Sequence, residues 1–170
     1  MDGIETPRLR FRVLTRSDRA LHASLYGDAR VMAHVGAPLS GAGLDAAFDA
    51  ACRSQHPVAR LWVAEVRSSG ADAGLLAVFP HGDTAEIGVM LLPGCQRLGY
   101  AGEIFARAVP WAFRERGLGM LWARHAAGHG RAGATVERAG FERMPAGLGS
   151  PGWTTWRLSR ARWDRLAATA

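Results

Sequence analysis

Ala85-Glu86-Ile87-Gly88-Val89-Met90-Leu91-Leu92-Pro93 runs through Gly94-Cys95 into Gln96-Arg97-Leu98-Gly99-Tyr100-Ala101-Gly102. The first half is apolar and strand-like and stops at Pro93. Beyond the glycines, Ile104, Phe105, Ala108, Val109, Ala112 and Phe113 recur at helical spacing. A strand, a glycine-rich loop and a helix in this order set free backbone N–H groups at the start of a helix. Unpaired donors and the positive end of the helix dipole attract phosphate there. Gly99 and Gly102 keep side chains out of the approach, so a pyrophosphate can come close to the backbone. The spacing is not G-x-G-x-x-G, and the G-K-[ST] of a nucleotide loop is absent. Taken alone, the same residues also read as an unliganded turn.

Working outward, Arg8 to Leu14 alternates polar and apolar residues, the period of a strand with one buried face. Thr15 or Ser17 supplies an N-cap for a helix through Ala20, Leu21, Leu25 and Tyr26, ending near Gly27. A loop from Gly36 to Gly43 leads to a second helix through Leu44, Ala47, Phe48 and Ala51. Strand-like runs at 60–66, 74–79 and 85–92, with short connections, predict an antiparallel meander. Pro110 is expected to kink or restart the long helix, which Gly117 ends. A strand at Met120-Leu121-Trp122-Ala123 follows, then a short helix over 132–139, then strands at Phe141 and over 153–158. Strand, glycine loop, helix and strand demand a parallel crossover at that place. The expectation is one α/β (α+β) domain over residues 1–170, a mixed, mostly antiparallel sheet with helices on both faces.

A chain of 170 residues, 48% of them hydrophobic, is long enough to bury a single core. Its apolar runs fall far short of the roughly 20 residues that a membrane span needs. Met1 to Pro7 lacks the pattern of a secretory signal, so a cytoplasmic chain is expected. Cys52 and Cys95 have no metal-type spacing, and two intracellular thiols are expected to stay reduced. The net charge of +6 comes from 21 arginines scattered along the chain, with no lysine. No specific nucleic-acid partner is expected from such dispersed charge, which can instead favour an anionic cofactor.

The context of the loop carries a resemblance. Gln96-Arg97-Leu98-Gly99-Tyr100-Ala101 matches the [QR]-x-x-G-x-[GA] motif of the GNAT N-acetyltransferase superfamily. Residues 85–93 resemble the strand ahead of that motif, and Glu137-Arg138-Ala139-Gly140-Phe141 resembles the helix-to-strand segment after the next crossover. Glu5-Thr6-Pro7-Arg8-Leu9-Arg10-Phe11-Arg12 and Trp156 to Trp163 look like the two ends of the Rim-type branch. The resemblance implies a GNAT fold and an N-acyltransferase that moves an acetyl or other acyl group from acetyl-CoA, or another acyl-CoA, to an amine. By the same resemblance, Val89, Met90 and Leu91 offer backbone hydrogen bonds to pantetheine and thioester. Gln96, Arg97, Leu98, Gly99, Tyr100, Ala101 and Gly102 surround the pyrophosphate.

Transfer to an amine needs a neutral nitrogen, a polarised carbonyl and a departing thiolate. Glu86, on the strand beside the cleft, is the leading candidate for the base. A charge on the solvent face or an anchor for a cationic substrate is the other reading of the same carboxylate. Two positions depart from the family. His129 and Ala132 stand where the Rim-type pattern has Asn and Ser, and His129 is a candidate cofactor contact. Val136 stands where other branches place a tyrosine proposed to protonate the thiolate. That gap keeps open a non-catalytic module that binds acyl-CoA as a sensor. His125 and His129 have i, i+4 spacing, but the glycines around them and the lack of a third ligand argue against a metal. Cys95 reads as a small turn residue more than a nucleophile. Residues 35–43 and 145–152 are the least patterned and are expected to select the acceptor: a protein N-terminus, a peptide or a small amine. A homodimer is left open.

Overall fold

The computed structural model describes residues 4–53, 60–145 and 151–169. Its order is β1 (Leu9–Val13), α1 (Arg19–Tyr26), α2 (Ala29–Met32), α3 (Gly41–Arg53), β2 (Arg60–Val66), β3 (Asp72–His81), β4 (Thr84–Leu91), α4 (Tyr100–Pro110), β5 (Met120–Ala126), α5 (Gly130–Arg138), β6 (Glu142–Arg143), β7 (Trp153–Ser159) and α6 (Arg160–Ala167). The strands form one seven-stranded sheet in the order β1-β2-β3-β4-β5-β7-β6. All neighbours are antiparallel except β4 and β5, the crossover expected from the glycine loop.

Alternation along the strands divides the apolar residues between two layers. Trp62 and Ala64 of β2, Leu76 and Val78 of β3, Ala85 and Ile87 of β4 and Leu121 and Ala123 of β5 face Ile104, Phe105, Ala108 and Val109 of α4 and Val136 of α5. The intervening Leu61, Val63 and Leu75 face Leu21 and Leu25 of α1, Val31 of α2 and Phe48 of α3. Helices therefore cover both faces. Trp122, Arg124, Trp153, Thr155 and Arg157 alternate with buried neighbours on β5 and β7 and belong to neither layer.

At one end of the sheet β1, β2, β3 and the entry to α1 are tied by charge. Arg12 reaches Glu65 at 2.7 Å, Asp18 at 2.8 Å and Asp72 at 3.2 Å, while Arg10 reaches Glu65 at 2.8 Å. Burial pushes the Asp18 and Glu65 carboxyls up, but hydrogen bonds from the arginines, joined at Asp18 by Thr15, outweigh it and hold both below the usual range. Asp72, where burial prevails over the attraction of Arg12, is raised.

Several expectations need adjustment. At Pro110, where a kink or restart was expected, the α-helix ends and the chain continues directly as a π-helical turn, Trp111–Glu115. The one-turn helix α2 and the terminal helix α6 carry too little periodicity to stand out in the sequence. β7 inserts between β5 and β6, so the last two strands are not laid down in chain order. Ala146 to Ser150, most of the second expected selection loop, lie outside the described residues.

Candidate functional site

β4 is paired unequally on its two edges. All eight of its residues, Thr84 to Leu91, pair with β3, around a tight turn in which Gly82 takes φ +65°. Toward β5, only Thr84↔Met120, Ala85↔Leu121 and Glu86↔Trp122 pair. From Ile87 onward the two parallel strands separate. Val89, Met90 and Leu91, the residues expected to meet an acyl-pantetheine, are half-buried and lie on this diverging part. The approach of β3 to the same segment depends on Gly74, where an added Cβ would stand 2.0 Å from the Met90 carbonyl oxygen.

The glycine loop follows directly. Gln96 turns its side-chain amide back to donate to the Leu91 carbonyl at 3.1 Å, tying the loop to the end of β4. Arg97 adopts φ +63°, and Gly99 caps α4 at φ +83°. The first helical bond is Glu103 N–H to the Gly99 carbonyl at 3.1 Å. Among the described residues, no carbonyl accepts from the backbone N–H groups of residues 97–102, which form a row of free donors at the positive end of α4. Tyr100 has its ring in the core, so only its backbone belongs to this row. A Cβ at Gly102 would meet nothing within 4 Å.

A clamp from the start of the chain holds this loop, and sequence reasoning missed it. Arg8 donates from Nη1 to the Leu98 carbonyl at 2.8 Å and from Nε to Glu103 at 2.7 Å, and its guanidinium lies 4.8 Å from the Tyr100 ring centre. Thr6 Oγ1 donates to Glu103 at 2.6 Å. Burial works against the Glu103 carboxylate, yet Thr6 and Arg8 hold it charged, with its pKa below the usual range. Thr6-Pro7-Arg8 stood in the sequence only as part of a resemblance, because the spacing to Glu103 carries no local pattern.

Glu86 sits at the last paired rung of β4 with β5. Its Oε1 accepts from Arg124 Nε at 2.8 Å, and Arg124 also lies over Trp153 at 5.3 Å. Arg124 carries no motif and was not foreseen.

His129 caps the N-terminus of α5, just past the end of β5, and stacks on His34 from the loop after α2, with ring centres 4.0 Å apart and planes 7° apart. The stack thus joins the loop after α2 to the turn after β5, and His34 directly precedes residues 35–43, the first segment expected to choose the acceptor. His125 is a core histidine: Trp156 Nε1–H donates to its Nε2 at 2.9 Å, and its Nδ1 lies 2.8 Å from the Ala126 carbonyl. Those contacts place its proton on Nδ1. Val136 is buried in the core. Burial raises the Cys95 thiol, which disfavours the thiolate that a nucleophile needs. Among the described residues, no group of three or more His, Cys, Asp or Glu is arranged to hold a metal ion, and no helix is long and apolar enough to cross a membrane.

The family profile described as acetyltransferase (GNAT) domain matches residues 8–142, from the clamp through the splayed strands to β6. The chain belongs to this GNAT acetyltransferase family. No curated protein sequence matches it. The spermidine N-acetyltransferase of Vibrio cholerae, solved in complex with CoA and spermine, superposes with a TM-score of 0.79 at 18% identity over 93% of this chain and 99% of that one. An acetyltransferase from Agrobacterium tumefaciens superposes with a TM-score of 0.80 at 22% identity over 94% and 95%. A GNAT-family acetyltransferase from Bacillus anthracis gives 0.79 at 17% identity over 92% and 97%. At these identities the likeness is one of fold, a GNAT sheet with helices on both faces.

Proposed function

We propose that this GNAT domain moves an acetyl or other acyl group from acyl-CoA to a primary amine by direct attack in a ternary complex. The observation that carries this reading is the separation of β4 from β5 beyond Glu86, continuous with a row of free N–H groups at the start of α4. The gap offers an unpaired strand edge to pantetheine, and the loop offers donors and a helix dipole to pyrophosphate. The Vibrio cholerae fold relative holds CoA, which supports the same use of the fold here. Residues 1–170 act as one cytoplasmic domain. Within the family we assign it to the Rim-type branch, on the opening Glu5-Thr6-Pro7-Arg8 stretch whose Thr6 and Arg8 engage Glu103.

In this reading Val89, Met90 and Leu91 bind the pantetheine and thioester through their backbone, and residues 96–102 enclose the pyrophosphate. Glu86 faces the acceptor. With Oε1 held by Arg124, its second oxygen receives the amine, either taking the proton or anchoring the ammonium. The acceptor is a small amine, a peptide or a protein N-terminus.

A second reading is favoured by one observation: Val136 is buried where other branches carry an acid. It makes the protein a non-catalytic binder of acyl-CoA. Mass-spectrometric detection of N-acylated products over a panel of amines, with acetyl-CoA and longer acyl-CoAs, separates the two. The transferase yields acyl-amine with matching free CoA. Acyl-CoA binding by calorimetry without any product establishes the binding module instead.

A further inference from the structure

Resting on the transferase reading, we propose that His129, held face to face by His34, is the group that accepts the proton of the incoming amine. The other groups near the cleft are less suited. Glu86 is ion-paired with Arg124, which leaves its second oxygen to anchor the ammonium, both nitrogens of His125 are engaged by Trp156 and Ala126, Val136 has no proton to exchange, and the Cys95 thiol is raised by burial. By contrast, no hydrogen bond fixes the ring nitrogens of His34 or His129 among the described residues, so both are free for a ligand. Their stack joins the loop after α2 to the turn after β5, the strand that parts from β4 toward this end. This puts an imidazole at the open end of the gap between the two strands.

The electrostatics suit a base. Burial first, then the electrostatic influence of His34, His125 and Arg131, holds His129 below the ordinary histidine range. Its place at the positive end of α5 acts in the same direction. The imidazole is therefore neutral near pH 7 and ready to take a proton.

The step balances without a further reactant. The ammonium R-NH3+ gives one proton to His129, leaving R-NH2 with a lone pair. Nitrogen attacks the thioester carbon, the C–N bond forms, and the C–S bond breaks with its electron pair on sulfur. The second nitrogen proton neutralises the CoA thiolate. Imidazolium returns its proton to solvent.

The test uses His129→Asn and His34→Gln in the full chain, with pH profiles of kcat and kcat/KM and calorimetry of acyl-CoA. Asn is the Rim-type residue at position 129 and a favoured helix N-cap, so it retains hydrogen bonding to a cofactor and leaves α5 intact. It cannot take the proton. His129→Asn is expected to lose about 10²-fold or more in kcat near pH 7, to lose the acid limb of the profile, and to keep its acyl-CoA affinity. His34→Gln should move that limb to higher pH, because it removes one of the causes that lower His129. A purely structural role for the stack would not shift it. Wild-type rate and limb in His129→Asn overturn the proposal. So does a defect confined to acyl-CoA affinity, which makes His129 a cofactor contact. If the wild type acylates nothing on the amine panel, the transferase reading falls and takes this proposal with it. If the wild type turns over and only the His129 result fails, the transferase reading stands.

Discussion

The two edges of β4 are built from the same eight residues and do opposite work. Toward β3 every residue is paired; toward β5 three are paired and the rest face a gap. Full pairing satisfies the backbone internally and fixes register. Incomplete pairing leaves backbone donors and acceptors free for a ligand, and the fixed edge keeps them in place. A strand can therefore serve as a binding edge when its other side is immobilised.

The largest effect is expected at the point where the open edge begins. Glu86→Gln should raise the amine KM sharply and leave acyl-CoA affinity nearly unchanged if the carboxylate anchors the ammonium, whereas a loss of about 10²–10⁴-fold in turnover at neutral pH that shrinks as pH rises would assign the proton to Glu86 in place of His129. Rates across a pH series decide this: a defect confined to the amine KM makes Glu86 an anchor, and an unaltered rate removes it from both roles.

Next comes the loop that continues the open edge. Gly102→Leu projects a side chain into the space before the free N–H groups. It should weaken acyl-CoA by about 100-fold, roughly 2.7 kcal/mol, without lowering the melting temperature. Leucine in a first helical turn favours the helix, and its Cβ meets nothing within 4 Å. Gly99→Val is a poorer probe, because φ +83° strains any β-branched residue there. Calorimetry showing wild-type affinity for Gly102→Leu would remove the loop from the binding site.

The paired edge is sharpened by Gly74→Val. A Cβ 2.0 Å from the Met90 carbonyl forces β4 away from β3, at a cost of about 1–3 kcal/mol in stability, with acyl-CoA affinity falling alongside. Denaturant unfolding and calorimetry on the same samples check it. If stability falls and affinity does not, the β3 edge does not position the binding segment.

The smallest effect belongs to the charge knot that secures β1, β2 and β3. Asp18 and Glu65 are held below their ordinary range, so their stabilisation is complete above the unfolded carboxylate values, about 4, and is lost as pH falls through the folded ones. Raised Asp72 works in the opposite sense and offsets part of that loss. Asp18→Asn should cost about 1 kcal/mol at pH 7, with the gap to wild type closing toward pH 3. A gap independent of pH would trace the cost to packing.

What the sequence made legible follows the same division. β1, β2 and the hairpin of β3 and β4 could be read because alternation and the His81-Gly82-Asp83 turn are local signals. The glycine loop was legible for the same reason, since Gly99 and Gly102 mark the turn into α4, where Gly99 takes φ +83°. The pairing of Glu86 with Arg124, the stack of His34 on His129 and the insertion of β7 beside β5 join residues far apart, and no periodicity encodes them. Helix α6 escaped because none of its residues is fully buried, so its apolar stripe is faint.

The clamp on the glycine loop has a consequence for how the protein is made. Arg8 and Glu103 are separated by 95 residues, and Thr6 and Glu103 by 97. At about 5–20 residues per second of synthesis, Arg8 leaves the ribosome on the order of 5–20 s before its partner exists. Until then β1 has a neighbour in β2, while the cationic strap beside it waits in solvent. The glycine loop thus sets only after β1 to β4 have been made, and a nascent chain that stalls before α4 carries the strap with nothing to strap down.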